Sequence, residues 1–86
     1  MTQIIRSNGT TEEVKNKLTL KFMQGVVGGD IEIIPFGNDK ELICNEEGKL
    51  QGLPLNVIAT KLWIDYYGGA DLIVGDVIIT DSKELD

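Results

Sequence analysis

The chain has no histidine, a single cysteine at Cys44, and serine only at Ser7 and Ser82. These absences remove most nucleophilic chemistry. A Ser–His–Asp or Cys–His arrangement needs a base beside its nucleophile, and none exists. Ser7 falls in a turn, Ser82 in the tail, and Cys44 in a strand pattern, where it reads as a small buried apolar residue. A lone thiol has no intramolecular disulfide partner. With no signal peptide ahead of it, it fits a reducing cytoplasm. No apolar run approaches the roughly 18 residues of a membrane span, so no membrane partner is expected. No basic stripe is present either. Arg6, Lys15, Lys17, Lys21, Lys40, Lys49, Lys61 and Lys83 are dispersed, and the net charge is −6, from 14 acidic and 8 basic residues. Polymeric nucleic acid is therefore not an expected partner. Asp39, Glu41, Glu46 and Glu47 lack the loop pattern of an oxygen-ligand metal site. Asp71 and Asp76 flank a strand end as turn-capping groups. The chain reads as a non-enzyme with no metal and no cofactor.

What remains is an 86-residue single domain, 1–86, with an ordered core over 1–80 and an acidic tail over 81–86. A chain this short buries only about 60–65 % of its unfolded surface. With no disulfide, association of copies is the common route to further stability, so a homo-oligomer, dimer or tetramer, is expected. Thr2 to Arg6 reads as a strand and Ser7-Asn8-Gly9 as a turn. Thr10 and Glu13 fit a capping box. Val14, Leu18 and Phe22 then recur every four residues along one helical face, and Gln24-Gly25 suits the helix end. Asp30 to Pro35 alternates as a strand, Gly37-Asn38-Asp39 turns the chain, and Glu41 to Asn45 is the next strand. Glu46-Glu47-Gly48 turns again, with a brief return at Lys49-Leu50. Asn56 opens a second helix that stops at Gly68-Gly69. Asp71 to Thr80 is the last strand, weakened at Gly75. The class is α+β, in β-α-β-β-α-β order, with two helices on a mainly antiparallel sheet; that order allows a ferredoxin-like split βαβ arrangement.

Three features carry candidate binding chemistry. Gly28-Gly29 precedes a strand rather than opening a helix, so it is no phosphate-binding fingerprint; it serves a chain reversal or a close backbone approach to a ligand or subunit. On the second helix, Leu55, Ile58, Ala59, Leu62 and Tyr66 share the expected core side, while Asn56, Thr60, Trp63 and Tyr67 share an adjacent stripe. That stripe is a recognition surface or a half-buried flank of the core. Val57 and Ile64 point outward on a third side, as residues of a subunit interface would. The segment from Asn45 to Asn56 is turn chemistry, or a small anion pocket built from Asn45, Lys49, Asn56 and the N–H groups at a helix start.

Val27-Gly28-Gly29-x-Ile31-Glu32, Asn45-Glu46-Glu47-Gly48-Lys49-Leu50-x-Gly52-Leu53-Pro54-x-Asn56 and Asp71-x-Ile73-Val74-Gly75-Asp76-Val77 resemble a small family of domains of unknown function from phages and mobile elements of bacteria. The chain also resembles phage anti-defence sponges, small multimeric proteins that sequester cyclic dinucleotide immune signals. The resemblance implies an oligomer that binds a small phosphate-bearing ligand, a cyclic dinucleotide, in the host cytoplasm. The ligand would lie at Asn45, Lys49, Asn56, Thr60, Trp63, Tyr67, Gly28 and Gly29, and the interface at Val57 and Ile64. The alternative is a protein-binding inhibitor of a host enzyme, or a plain interaction domain.

Overall fold

Alternation of side chains between two faces organises the molecule. The computed structural model describes residues 1–37, 39–69 and 71–85. Its strands are β1 (Thr2–Ile5), β2 (Thr11–Val14), β3 (Ile31–Pro35), β4 (Lys40–Asn45) and β5 (Val77–Asp81). They lie in the order β2-β1-β5-β4-β3, and every neighbouring pair is antiparallel. The registers Ile4↔Ile78↔Ile43 and Ile5↔Val77 place consecutive residues on opposite faces. Helix α1 (Leu20–Val27) lies on the first face, where Met23 and Val27 join Ile4, Leu18, Ile43 and Ile78. Helix α2 (Val57–Tyr67) lies on the second, where Ala59 joins Ile5, Leu42, Cys44, Ile73 and Val77. The fold is α+β, with the sheet as the middle of three layers. Leu42, Ile43, Val77 and Ile78 are wholly excluded from water; burial of each such side chain contributes about 1.5–3 kcal/mol.

The first helix departs from expectation. Thr10 and Glu13 cap nothing. Thr11–Val14 is an edge strand paired with β1, Thr2↔Val14 through Ile5↔Thr11. The cause is the turn before it. Asn8 Oδ1 accepts from Thr10 N–H at 3.0 Å, and Arg6 N–H reaches Thr10 C=O at 2.9 Å. That hairpin turn commits the next residues to the sheet. Arg6 Nε holds Glu12 across the pair at 2.7 Å. The helix starts later, with Thr19 Oγ1 accepting from Phe22 N–H at 3.1 Å, and runs past Gly25 to Gly28. Val14, Leu18 and Phe22 still meet the same core cluster, although from a strand, a loop and a helix.

The long last strand is also divided. Gly75 takes φ 76° and breaks it. Ahead of the break the chain crosses residues 53–56, through Asn56 N–H to Ile73 C=O at 2.8 Å and Gly75 N–H to Pro54 C=O at 2.7 Å. Lys49-Leu50 belongs to a turn rather than a returning strand, and Asn38 lies outside the described residues. The split βαβ arrangement does not form: β1 sits between β2 and β5, antiparallel to both. Of the tail expected over 81–86, Asp86 lies outside the described residues. Asp81 ends β5, Ser82–Leu85 makes a 3-10 turn, and Leu85 packs on the core.

Candidate functional site

Where β4 ends, Asn45 turns its side chain inward and becomes a junction. Its Nδ2 donates to Val27 C=O at 3.1 Å and to Gln51 Oε1 at 3.2 Å, while its Oδ1 accepts from Glu47 N–H at 2.8 Å. One amide thus ties the end of α1 to the 46–51 turn. Gly28 caps α1 at φ 82°. A Cβ on Gly29 would stand 2.9 Å from Asn45 Nδ2. The close approach expected at these glycines is met at Gly29, by the chain's own asparagine, whereas a Cβ on Gly28 would meet nothing within 4 Å.

Beyond Asn45 a groove of about 170 Å³ opens between the 46–50 turn and the 71–74 loop. Ile34, Cys44 and Ile73 floor it, and Glu32, Glu46, Glu47, Lys49 and Asp71 stand around it. Lys49 Nζ meets Asp71 Oδ1 at 2.6 Å, with both side chains about 60 % exposed. The lysine ammonium holds the Asp71 carboxyl below the usual carboxylate range. So exposed a pair contributes at most about 1 kcal/mol. Burial, and secondarily Glu32, push the Cys44 thiol up to about 11. It is protonated at neutral pH and is a poor nucleophile there. Among the described residues, no three Asp, Glu, Cys or His side chains gather as a metal cage, and no helix is long and apolar enough to cross a membrane.

Asn45 and Lys49, of the candidate ligand residues, line this groove; Gly28, Gly29, Asn56, Thr60, Trp63 and Tyr67 do not. The phase of α2 is the reason for Asn56 and Thr60. Asn56 is fully buried: Nδ2 donates to Ile5 C=O and Gly75 C=O, each at 2.9 Å, and Oδ1 caps the helix at Ala59 N–H, 3.0 Å. Thr60 Oγ1 donates to Ile73 C=O at 3.1 Å and accepts from Ile73 N–H at 2.9 Å. The first half of the stripe expected to face a ligand thus turns inward, while Trp63 is half-buried and Tyr67 exposed. Leu55, Leu62 and Tyr66, expected in the core, are exposed. Val57 and Ile64 point outward as expected, 63 % and 39 % exposed.

Trp63 and Tyr67 join a separate aromatic cluster with Phe36 and Tyr66, with centroids 4.6–6.3 Å apart. Tyr67 Oη donates to Pro35 C=O at 2.7 Å and accepts from Gly37 N–H at 3.3 Å, fastening α2 to the end of β3. Sequence reasoning missed Glu32 and Asp71 as groove residues. For Glu32 the available signal was a charge in phase with Ile34 on a strand; for Asp71, in a loop, there was none.

Neither a curated protein nor a solved structure matches this chain. The family model described as Domain of unknown function (DUF3846) matches residues 1–86, and the chain belongs to that family.

Proposed function

We propose that this domain works by binding rather than catalysis, and that it docks a basic segment of another protein, as an inhibitor of a host enzyme would. The make-up of the groove supports this. Four carboxylates, those of Glu32, Glu46, Glu47 and Asp71, stand against one cation, Lys49, which is already paired to Asp71. At about 170 Å³ the groove is smaller than the roughly 300–1,000 Å³ of pockets for drug-sized ligands. It has room for one long side chain, with an apolar floor for the stem and carboxylates for the head. Selection of displayed random peptides on the immobilised protein, then calorimetry on the synthetic winners, tests this. Lysine and arginine should be enriched, and the Glu46→Lys, Glu47→Lys double variant should bind the winners about tenfold more weakly or worse. Winners with no basic bias overturn the reading.

A second reading follows the resemblance: a phage-type immune-evasion protein that self-associates in the host cytoplasm and sequesters a cyclic dinucleotide. The turn at Lys49 favours it. Among the described residues no acceptor is bonded to the backbone N–H of Lys49 or Leu50, and such groups beside an ammonium suit a phosphate. A groove of this size then needs a second copy to enclose the ligand, and the exposed Val57 and Ile64 supply an apolar contact for one. Nucleotide at one hundred times its dissociation constant should stabilise the protein by about 2.7 kcal/mol. Light scattering should show a dimer or tetramer that Ile64→Asp dissociates. A parent monomeric at about 50 μM, or indifferent to every nucleotide tested, removes this reading.

A further inference from the structure

Strand β3 is the last in the sheet and has β4 on one side only. Which of its backbone groups are free follows from the ladder. Phe36 N–H reaches Lys40 C=O and Glu46 N–H reaches Asp30 C=O, each at 2.9 Å. Hydrogen bonds to one neighbour recur at every second residue. Asp30, Glu32, Ile34 and Phe36 therefore bond toward β4, and Ile31, Ile33 and Pro35 aim their backbone outward. Pro35 has no N–H, and its carbonyl is taken by Tyr67 Oη at 2.7 Å. The open edge is thus the N–H and C=O of Ile31 and of Ile33, closed at one end by proline and tyrosine. The side chains of Glu32 and Ile34, between and beside these residues, reach into the acidic groove.

We infer that this edge accepts an extended strand of a foreign protein, antiparallel to β3, with a lysine or arginine opposite Glu32. The inference rests on the protein-binding reading above and gives it a partner. A second copy of this chain is a poor occupant. Antiparallel pairing centred on Glu32 sets Glu32 against Glu32 of the other copy, and like charges directly opposite are destabilising. Centring on Ile31 sets Glu32 against Asp30. Centring on Ile33 sets Ile31 against Pro35, which has no N–H to give and a carbonyl already engaged. A basic residue opposite Glu32 reverses the first penalty. Its long side chain crosses Glu32 into the groove, where Glu46 and Glu47 carry no ion pair among the described residues. Main-chain hydrogen bonds at the edge then supply affinity, and the groove selects the side chain.

The test is a capped peptide of alternating threonine and valine with lysine at its centre, compared with versions carrying glutamate or alanine there. Binding is followed by the backbone amide signals of the isotope-labelled protein. The lysine peptide should shift the amides of Ile31 and Ile33 and bind about tenfold tighter than the glutamate peptide. In Glu32→Lys the order of the two should invert. Ile33→Pro removes one edge N–H and should abolish the response; unshifted amides in β5 verify that this variant is folded. Still amides at Ile31 and Ile33 with every peptide, or an unchanged order in Glu32→Lys, overturn the inference. A lysine peptide that shifts only residues 46–50 overturns the edge as well, yet leaves the basic-segment reading of the groove standing.

Discussion

Asn56→Asp is the most discriminating perturbation of this fold, because it replaces a single heavy atom at a site with no exposure to water. The carboxylate keeps the oxygen that caps α2 at Ala59 N–H. It loses the amide that donates to Ile5 C=O and Gly75 C=O. Each buried carbonyl left unpaired costs about 1–3 kcal/mol, and an ionised carboxylate facing both adds several more at a site without a counter-charge. The expected loss at pH 7 is about 5–9 kcal/mol, a large part of the 5–15 kcal/mol typical of a domain. Asn56→Ala loses the cap too, worth about 1 kcal/mol, but introduces no charge, and should be the milder variant. Burial raises the new carboxyl in the folded state above its unfolded value of about 3.9. A raised acid is protonated preferentially when folded. The ionisation part of the penalty is therefore absent below about pH 4 and grows as pH rises, until the folded-state group ionises as well, while the loss from the carbonyls left without the amide donor remains at every pH. Urea titrations followed by Trp63 fluorescence at acid and neutral pH measure this. If Asn56→Asp is milder than Asn56→Ala at pH 7, capping outweighs the buried charge and the reasoning fails.

Leu18→Ala should cost about 2–4 kcal/mol, since Leu18 is 8 % exposed in the α1-side core and a cavity follows; a loss below about half a kcal/mol in the same titration contradicts that placement. Burial pushes the Asp76 carboxyl up, but Ser7 N–H and the Arg6 guanidinium outweigh it and hold the group below its ordinary value. Its contribution is present above the unfolded value of about 3.9 and is lost as pH falls through the folded one, so Asp76→Asn should flatten the acid limb of the stability curve; an unchanged limb refutes this. Cys44, pushed up to about 11, should react with a thiol reagent slowly at pH 7.5 and fully in urea. Fast labelling of the folded protein would show that the thiol is not sheltered.

The class and most strands were legible because they rest on local chemistry. Ile31–Pro35 alternates, Asn8-Gly9 turns, and Asn56 is a helix cap by type. The errors have physical sources. Thr10 and Thr19 are equally good caps, and the apolar spacing of Val14, Leu18 and Phe22 fits a helix as well as it fits three separate elements meeting one core. The hairpin turn at residues 6–10 and the pairing of Thr11–Val14 with β1 that it sets up decide between them. The rotation of α2 was misread because periodicity follows hydrophobicity, whereas the innermost positions include Asn56 and Thr60, held inside by hydrogen bonds to segments far along the chain. The groove was half visible. Lys49 and Asn45 stand in a recognisable turn, but Glu32 beside Cys44 and Lys49 against Asp71 arise only when strands and loops meet.

The strand order has a consequence for how the chain comes into being. Strand β5, the last to be synthesised, lies at the centre of the sheet, between β1 and β4. Until Val77–Asp81 has been translated, the hairpin β1–β2 and the hairpin β3–β4 have no shared neighbour, and the main apolar faces of both wait for Val77 and Ile78. Before that point the nascent chain holds a pair of unjoined ribbons. A message truncated shortly before Val77 leaves the facing edges of β1 and β4 uncovered, a species for proteases and chaperones to meet.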